Sequence, residues 1–133
     1  MFKRNNDLKI ATLIGAKTRI NGDVEFSGGL HLDGYINGNV SGELGTDASL
    51  SVSEQGEIEG SVIVPNIVLN GTVKGDIDAT GRVELGEKAR VLGNVRYTVI
   101  ETAVGAQING KLIHRANSRD GEGDAGPTND PPL

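Results

Sequence analysis

At 133 residues the chain has room for one domain, and it carries 20 glycines, two Phe, two Tyr, no Trp and no Cys. The absence of cysteine excludes disulfides, thiolate metal sites and a cysteine nucleophile, and it fits a reducing, cytoplasmic setting. So few rings leave only aliphatic layers to build a core. A net charge of −5 argues against a nucleic-acid partner, which needs a basic patch or stripe.

The charge is unevenly placed along the chain. Residues 1–12, "MFKRNNDLKIAT", hold Lys3, Arg4 and Lys9 against Asp7. They have no apolar h-region and read as a flexible N-terminal tail, not a secretory signal. No later stretch approaches the roughly 18–20 apolar residues of a membrane span.

Residues 13–113 carry a repeat in which a glycine stands between two aliphatics. It reads "INGDV" at Ile20–Val24, "INGNV" at Ile36–Val40, "IEGSV" at Ile58–Val62, "VKGDI" at Val73–Ile77, "VLGNV" at Val91–Val95 and "INGKL" at Ile108–Leu112. The first aliphatics lie 16, 22, 15, 18 and 17 residues apart. A recurrence near 17 marks stacked units, each too small to fold alone. Strand is favoured over helix: Asn-Gly recurs as turn chemistry, a mid-helix glycine costs about 1 kcal/mol, and Val and Ile prefer strands.

Parity agrees. Aliphatic or glycine residues fall on even numbers from Ile20 to Val64, on odd numbers from Ile67 to Val99, and on even numbers again at Val104, Ile108, Gly110 and Leu112. Period two held this long means extended chain with one buried face. Glycine at an inward position implies a bend where a Cβ would clash inside the corner. The body is therefore expected to be all-β: a parallel β-helix (β-solenoid) of about six coils, about 30 Å long at roughly 4.8 Å per coil. "LIGAKTRI" at Leu13, "LGEKARV" at Leu85 and "VGAQI" at Val104 read as one recurring element before the glycine motif, and "SGELGTDAS" as a loop bulging from one coil. Residues 114–133 are polar and rich in Gly and Pro, and read as a disordered C-terminal tail.

The "MFKR" start, the coils including "GLHLDGYINGNVSG" and "VLNGTVKGDI", and the Pro-containing tail together resemble the bactofilins, bacterial cytoskeletal proteins. The resemblance spans Met1 to about Ile113. It implies a right-handed β-helix that polymerises without nucleotide into filaments beneath the membrane. Its implied clients are cell-wall synthesis or hydrolysis proteins or cell-shape machinery, at the inner face of the cytoplasmic membrane.

Function is then expected at the ends of the column. Terminal coils expose unpaired backbone and a hydrophobic cross-section, and soluble solenoids cover these with polar caps. Neither flank reads as such a cap, so a second copy is the expected cover. Leu13, Ile14, Ile20 and Val24 in the first coil, and Val99, Val104, Ile108 and Leu112 in the last, are the expected polymer interface. Alternating same-end contacts would give a filament without polarity, as the resemblance implies; the sequence also allows head-to-tail stacking. Met1, Phe2, Lys3 and Arg4 match the family's membrane-binding tail. They are weak alone at about 1 kcal/mol per basic residue, but multiplied in a polymer.

No catalytic, cofactor or metal site is expected. "GAQINGKL" at Gly105–Leu112 nearly spells a phosphate-binding loop, but Leu112 replaces the hydroxyl residue that would hold Mg²⁺. His31, near Asp33, and His114 are too few for a three-histidine zinc site in one chain. Asp76 with Asp78 and Glu57 with Glu59 are carboxylate pairs on outward faces and read as solvated charge. "NVS" at Asn39 and "NGT" at Asn70 are only formal glycosylation acceptors. The alternative reading is an enzyme on a left-handed solenoid, of the hexapeptide-repeat acyltransferase or gamma-class carbonic anhydrase type; its tighter six-residue period is kept only irregularly here.

Overall fold

A computed structural model describes residues 10–115. The expectations for the N-terminal tail through residue 9, including Met1, Phe2, Lys3 and Arg4, and for residues 116–133 lie outside the described residues.

Sixteen strands form six coils of three segments each. The first coil is β1 (Ile10–Ile14), β2 (Arg19–Asn21) and β3 (Val24–Phe26); the second is β4 (Gly29–Leu32), β5 (Tyr35–Asn37) and β6 (Val40–Gly42). The third is β7 (Ser49–Val52), β8 (Glu57–Glu59) and the first half of β9 (Val62–Leu69). The fourth takes the rest of β9, β10 (Thr72–Lys74) and the first half of β11 (Ile77–Leu85). The fifth has the rest of β11, β12 (Arg90–Leu92) and β13 (Val95–Tyr97); the sixth has β14 (Val99–Thr102), β15 (Gln107–Asn109) and β16 (Leu112–His114). Every pairing is parallel, coil on coil. Face two (β2, β5, β8, β10, β12, β15) is a separate six-stranded sheet. Faces one and three join into a ten-stranded sheet, because β9 and β11 run around the corner between them.

The glycine motif is the middle corner of each coil. Its first aliphatics stack as one ladder on face two, Ile20–Ile36–Ile58–Val73–Val91–Ile108. Its second aliphatics stack on face three, Val24–Val40–Val62–Ile77–Val95–Leu112. Face one adds two ladders, Ile14–Leu32–Val52–Leu69–Leu85–Thr102 and Thr12–Leu30–Leu50–Ile67–Val83–Ile100. The middle members of these ladders are fully buried and form one continuous core. Parity flips at Pro65-Asn66 because Val64 and Ile67, both inward, are separated by only two residues as β9 turns the corner. Residues 43–48 leave the column between β6 and β7, where the sequence placed the extra loop.

The corner glycines are needed along the column, not inside the corner. A Cβ on Gly38 would lie 2.1 Å from the carbonyl oxygen of Gly22 in the coil before; Gly60 would meet Gly38 O at 2.1 Å, and Gly110 would meet Gly93 O at 2.0 Å. On Gly22, in the first coil, an added Cβ meets no atom within 4 Å. The next residue holds the corner from outside. Asp23 Oδ1 accepts the Asn39 N–H, Asn39 Oδ1 the Ser61 N–H, Asp76 Oδ1 the Asn94 N–H and Asn94 Oδ1 the Lys111 N–H, all at 2.9 Å.

Candidate functional site: the two ends of the column

Each interior strand is paired on both sides, whereas β1, β2, β3 and β14, β15, β16 pair on one side only among the described residues. Six short parallel edges therefore carry open N–H and C=O groups, which template further strand pairing.

On faces two and three the aliphatic ladders also end bare, whereas on face one Ile14 is buried and the other ladder ends include Thr12 and Thr102. At the N-terminal end Ile14 is 7% exposed, while Ile20, Val24 and Phe26 are half-buried. At the C-terminal end Ile100, Ala106 and Ile108 are half-buried and Leu112 is 50% exposed. Their partners one coil inward are essentially fully buried. Phe26 has room because Gly42 lies beneath it: a Cβ there would meet the Phe26 ring at 3.2 Å. At the other end Tyr97 packs edge-on against His114, ring centroids 5.5 Å apart.

Of the expected interface residues, Ile14, Ile20, Val24, Ile108 and Leu112 are terminal ladder members. The other three are placed differently. Leu13 pairs with His31 on the outer surface of face one and is 62% exposed. Val99 pairs with Arg82 and also faces outward, because parity flips at Thr98, before it; Ile100 is the inward residue. Val104, 96% exposed, is the tip of the turn from Ala103 to Ala106. The true counterpart of Leu85 is Thr102, so the last turn starts two residues ahead of the "VGAQI" alignment. Phe26, Ile100 and Ala106 belong to the ends and were not singled out from the sequence; for Phe26 the signal was its parity with Val24.

The outward polar groups are bound to one another across coils. On face two, Arg19 lies over the Tyr35 ring at 4.7 Å, the Tyr35 hydroxyl donates to Glu59, and Lys74 Nζ lies 3.1 Å from Glu57 and 3.5 Å from Glu59. The Tyr35 hydroxyl holds the Glu59 carboxyl below its ordinary range, against partial desolvation and with help from Lys74; the same bond pushes the Tyr35 phenol up. The Ser53 hydroxyl likewise holds Asp33 low against desolvation, with His31 assisting. Asp78 pairs with Arg115 at 2.6 Å. Thus the carboxylate pairs are engaged by neighbouring side chains across coils.

His31 Nε2 is 3.0 Å from Asp33 and Nδ1 is 3.2 Å from Ser51 Oγ. This is the order of groups in a nucleophilic triad, but it lies on the outer surface of β4 and β7, each paired on both sides, whose backbone N–H groups are committed to ladders. Gly105–Leu112 runs through a corner turn and β15, with no strand–loop–helix phosphate cradle. No group of three or more metal-ligating side chains occurs among the described residues, nor any helix long and apolar enough to cross a membrane.

These geometric features meet three similarities to known proteins. The chain is 33% identical over 111 residues to bactofilin BacO of Myxococcus xanthus (strain DK1622), covering 84% of this chain and 85% of that protein. It is 34% identical over 77 residues to bactofilin BacP of the same organism, covering 58% of this chain and 32% of BacP. The fold matches the cryo-EM reconstruction of Thermus thermophilus bactofilin double helical filaments with a TM-score of 0.66 and 27% identity, over 78% of this chain and 99% of that one. The bactofilin family, described as polymer-forming cytoskeletal, matches residues 12–113, and with the open-ended solenoid already in view the chain belongs to that family.

Proposed function

We propose that the chain is a cytoskeletal scaffold that assembles end to end, without nucleotide, into membrane-associated filaments that position cell-wall or cell-shape machinery. One observation carries the end-to-end step: at both ends strand edges and half-exposed ladder members occur together. A second copy satisfies both, continuing the strand pairing and covering the apolar cross-section. Burial and strand pairing supply the free energy, so no hydrolysis step is required. The structurally similar Thermus thermophilus protein forms double helical filaments, which supports the polymer reading. The family is described by its polymers and not by a reaction, which favours the scaffold over the solenoid-enzyme alternative.

Negative-stain imaging of nucleotide-free protein tests the assembly step. Wild type forms filaments. Ile108→Arg and Ile20→Arg, each placing a cation in one end, do not, while keeping the β circular dichroism spectrum. If same-end contacts alternate, each variant stops at dimers joined through the intact end, whereas head-to-tail stacking leaves monomers. A wild type that stays monomeric at high concentration refutes the proposal.

The membrane step rests on Met1, Phe2, Lys3 and Arg4 and on avidity. Filaments co-sediment with anionic vesicles, and deletion of residues 2–4 abolishes this without dissolving the filaments. The proposed location is the cytoplasmic side of the inner membrane.

A further inference from the structure

A cleft that end-to-end assembly does not use lies where residues 43–48 leave the column. Its volume is about 540 Å³, within the roughly 300–1,000 Å³ of ligand-holding pockets. Gly28 and Gly29, at the start of β4, line it without side chains, which opens it down to the buried Leu30 and Ala48. Its outer wall is the loop, which is braced from within. The Thr46 hydroxyl donates to Glu43 O at 2.6 Å and accepts the Ala48 N–H at 3.2 Å, and the Ser49 hydroxyl donates to Asp47 O at 3.1 Å. The Glu43 N–H ties the base of the loop to Phe26 O at 3.0 Å. The charged residues lining the cleft are Glu43 and Asp47, both acidic and both exposed.

The chain itself supplies an occupant of opposite charge. β1 begins at Ile10, whose strand partner is Gly29, so residues 1–9 join the column at the edge of the cleft. That segment carries Lys3, Arg4 and Lys9 against Asp7, and one ring, Phe2. Phe2 stands eight positions before Ile10, a reach of up to about 26 Å when extended. The cleft follows the Gly29–Ser49–Asn66 row, two coil spacings or about 10 Å.

We propose that residues 1–9 fold back along the column, with Phe2 in this cleft and Lys3 and Arg4 against Glu43 and Asp47, and that this docking withholds them from the membrane. The withholding rests on the membrane reading above, which uses the same residues: one segment is in the cleft or on the lipid, not both. Tethering makes the contact intramolecular, at an effective concentration in the millimolar range, so a weak contact suffices. With about nine-tenths of the chains docked, the apparent affinity of each tail for lipid falls about tenfold. The charges on both sides are exposed, so the latch loosens as salt rises.

Photo-cross-linking of the full chain, without vesicles, tests the docking. Phe2→p-benzoylphenylalanine keeps a ring at position 2. On irradiation it joins to Gly28–Leu30 or Thr46–Ser49 of the same chain, read at monomer mass by peptide mass spectrometry. Glu43→Gln with Asp47→Asn lowers that yield several-fold. Cross-links spread over the column, made only between chains, or unchanged by the double variant overturn the docking. Co-sedimentation with anionic vesicles tests the consequence. Filaments with Glu43→Gln and Asp47→Asn bind at several-fold lower lipid concentration than wild type, and the gain vanishes when residues 2–4 are deleted. Equal, non-zero binding by wild type and double variant overturns the withholding. Filaments that ignore vesicles in every form overturn the membrane reading instead, and the cross-link still decides the docking.

Discussion

The corner glycines give the sharpest test, because two chemically identical substitutions are expected to differ several-fold in cost. In Gly60→Ala the new Cβ sits 2.1 Å from Gly38 O, 2.6 Å from Gly38 C and 3.1 Å from Asn39 Oδ1. Backbone cannot swing aside as a side chain can, so coils two and three must part by about 1 Å against a spacing of roughly 4.8 Å. That weakens three corner bonds: Gly38 N–H to Glu59 O at 3.0 Å, Val40 N–H to Ser61 O at 2.9 Å, and Ser61 N–H to Asn39 Oδ1 at 2.9 Å. At about 1 kcal/mol each, with about 1–3 kcal/mol for overpacking, the packing loss is about 4–6 kcal/mol, on top of the strain of the Gly60 φ of +154°. That is a large share of the 5–15 kcal/mol typical of a domain. Gly22→Ala meets no atom, and its cost is the backbone strain of φ +135°, about 1–3 kcal/mol. Urea unfolding followed by circular dichroism separates the two. An Ile108→Arg background limits the contribution of polymer, since a cation at that half-exposed end can reach solvent. Equal midpoints for Gly60→Ala and Gly22→Ala would refute the account of the glycine ladder as a coil-spacing device.

Within the column, Ile58→Ala removes a fully buried ladder member and lowers stability by about 2–5 kcal/mol, whereas Val104→Ala, at an exposed turn tip, stays within about 0.5 kcal/mol in the same unfolding assay. Acid lowers stability through Glu59 and Asp33. Both have folded-state pKa values below the ordinary 4.5 and 3.8, so their contribution is complete above those values and is lost as pH falls through the lower folded values. Tyr35→Phe removes the largest cause of the Glu59 shift and flattens the pH dependence of the unfolding midpoint below about pH 4.5. Lys74→Ala, by contrast, leaves the unfolding midpoint at neutral pH nearly unchanged, because its ion pairs are screened by solvent.

What the sequence showed follows from which geometry leaves a periodic trace. The face-two ladder repeats the 16, 22, 15, 18 and 17 spacing of the motif residue for residue, since one motif occupies one coil. The flip at Pro65-Asn66 was legible because apolar residues surround it on both sides. The last coil was not, because the residue six before Ile108 is the polar Thr102, where Leu85 and Ile14 stand six before Val91 and Ile20. The nearest apolar residue, Val104, took its place in the reading although it is a turn tip. Leu13 and Val99 lie off the ladders for a related reason: an aliphatic residue in a terminal strand can face outward. The purpose of the glycines was only half legible. That a Cβ would not fit could be inferred from a bend, but the obstructing atom belongs to the neighbouring coil, some 16 residues away in sequence. The outer hydrogen-bond ladder of Asp23, Asn39, Asp76 and Asn94 was hidden for the same reason.

Both ends are complete as soon as a single chain has folded, and this governs the kinetics of growth. If copies join end to end as proposed, an arriving subunit makes the same joint whether it meets a monomer or a long polymer, so no unfavourable nucleus has to form first. Single strands built this way lengthen gradually with concentration, with no lag and no sharp critical threshold; a sharp onset would enter only once neighbouring strands held each other side by side.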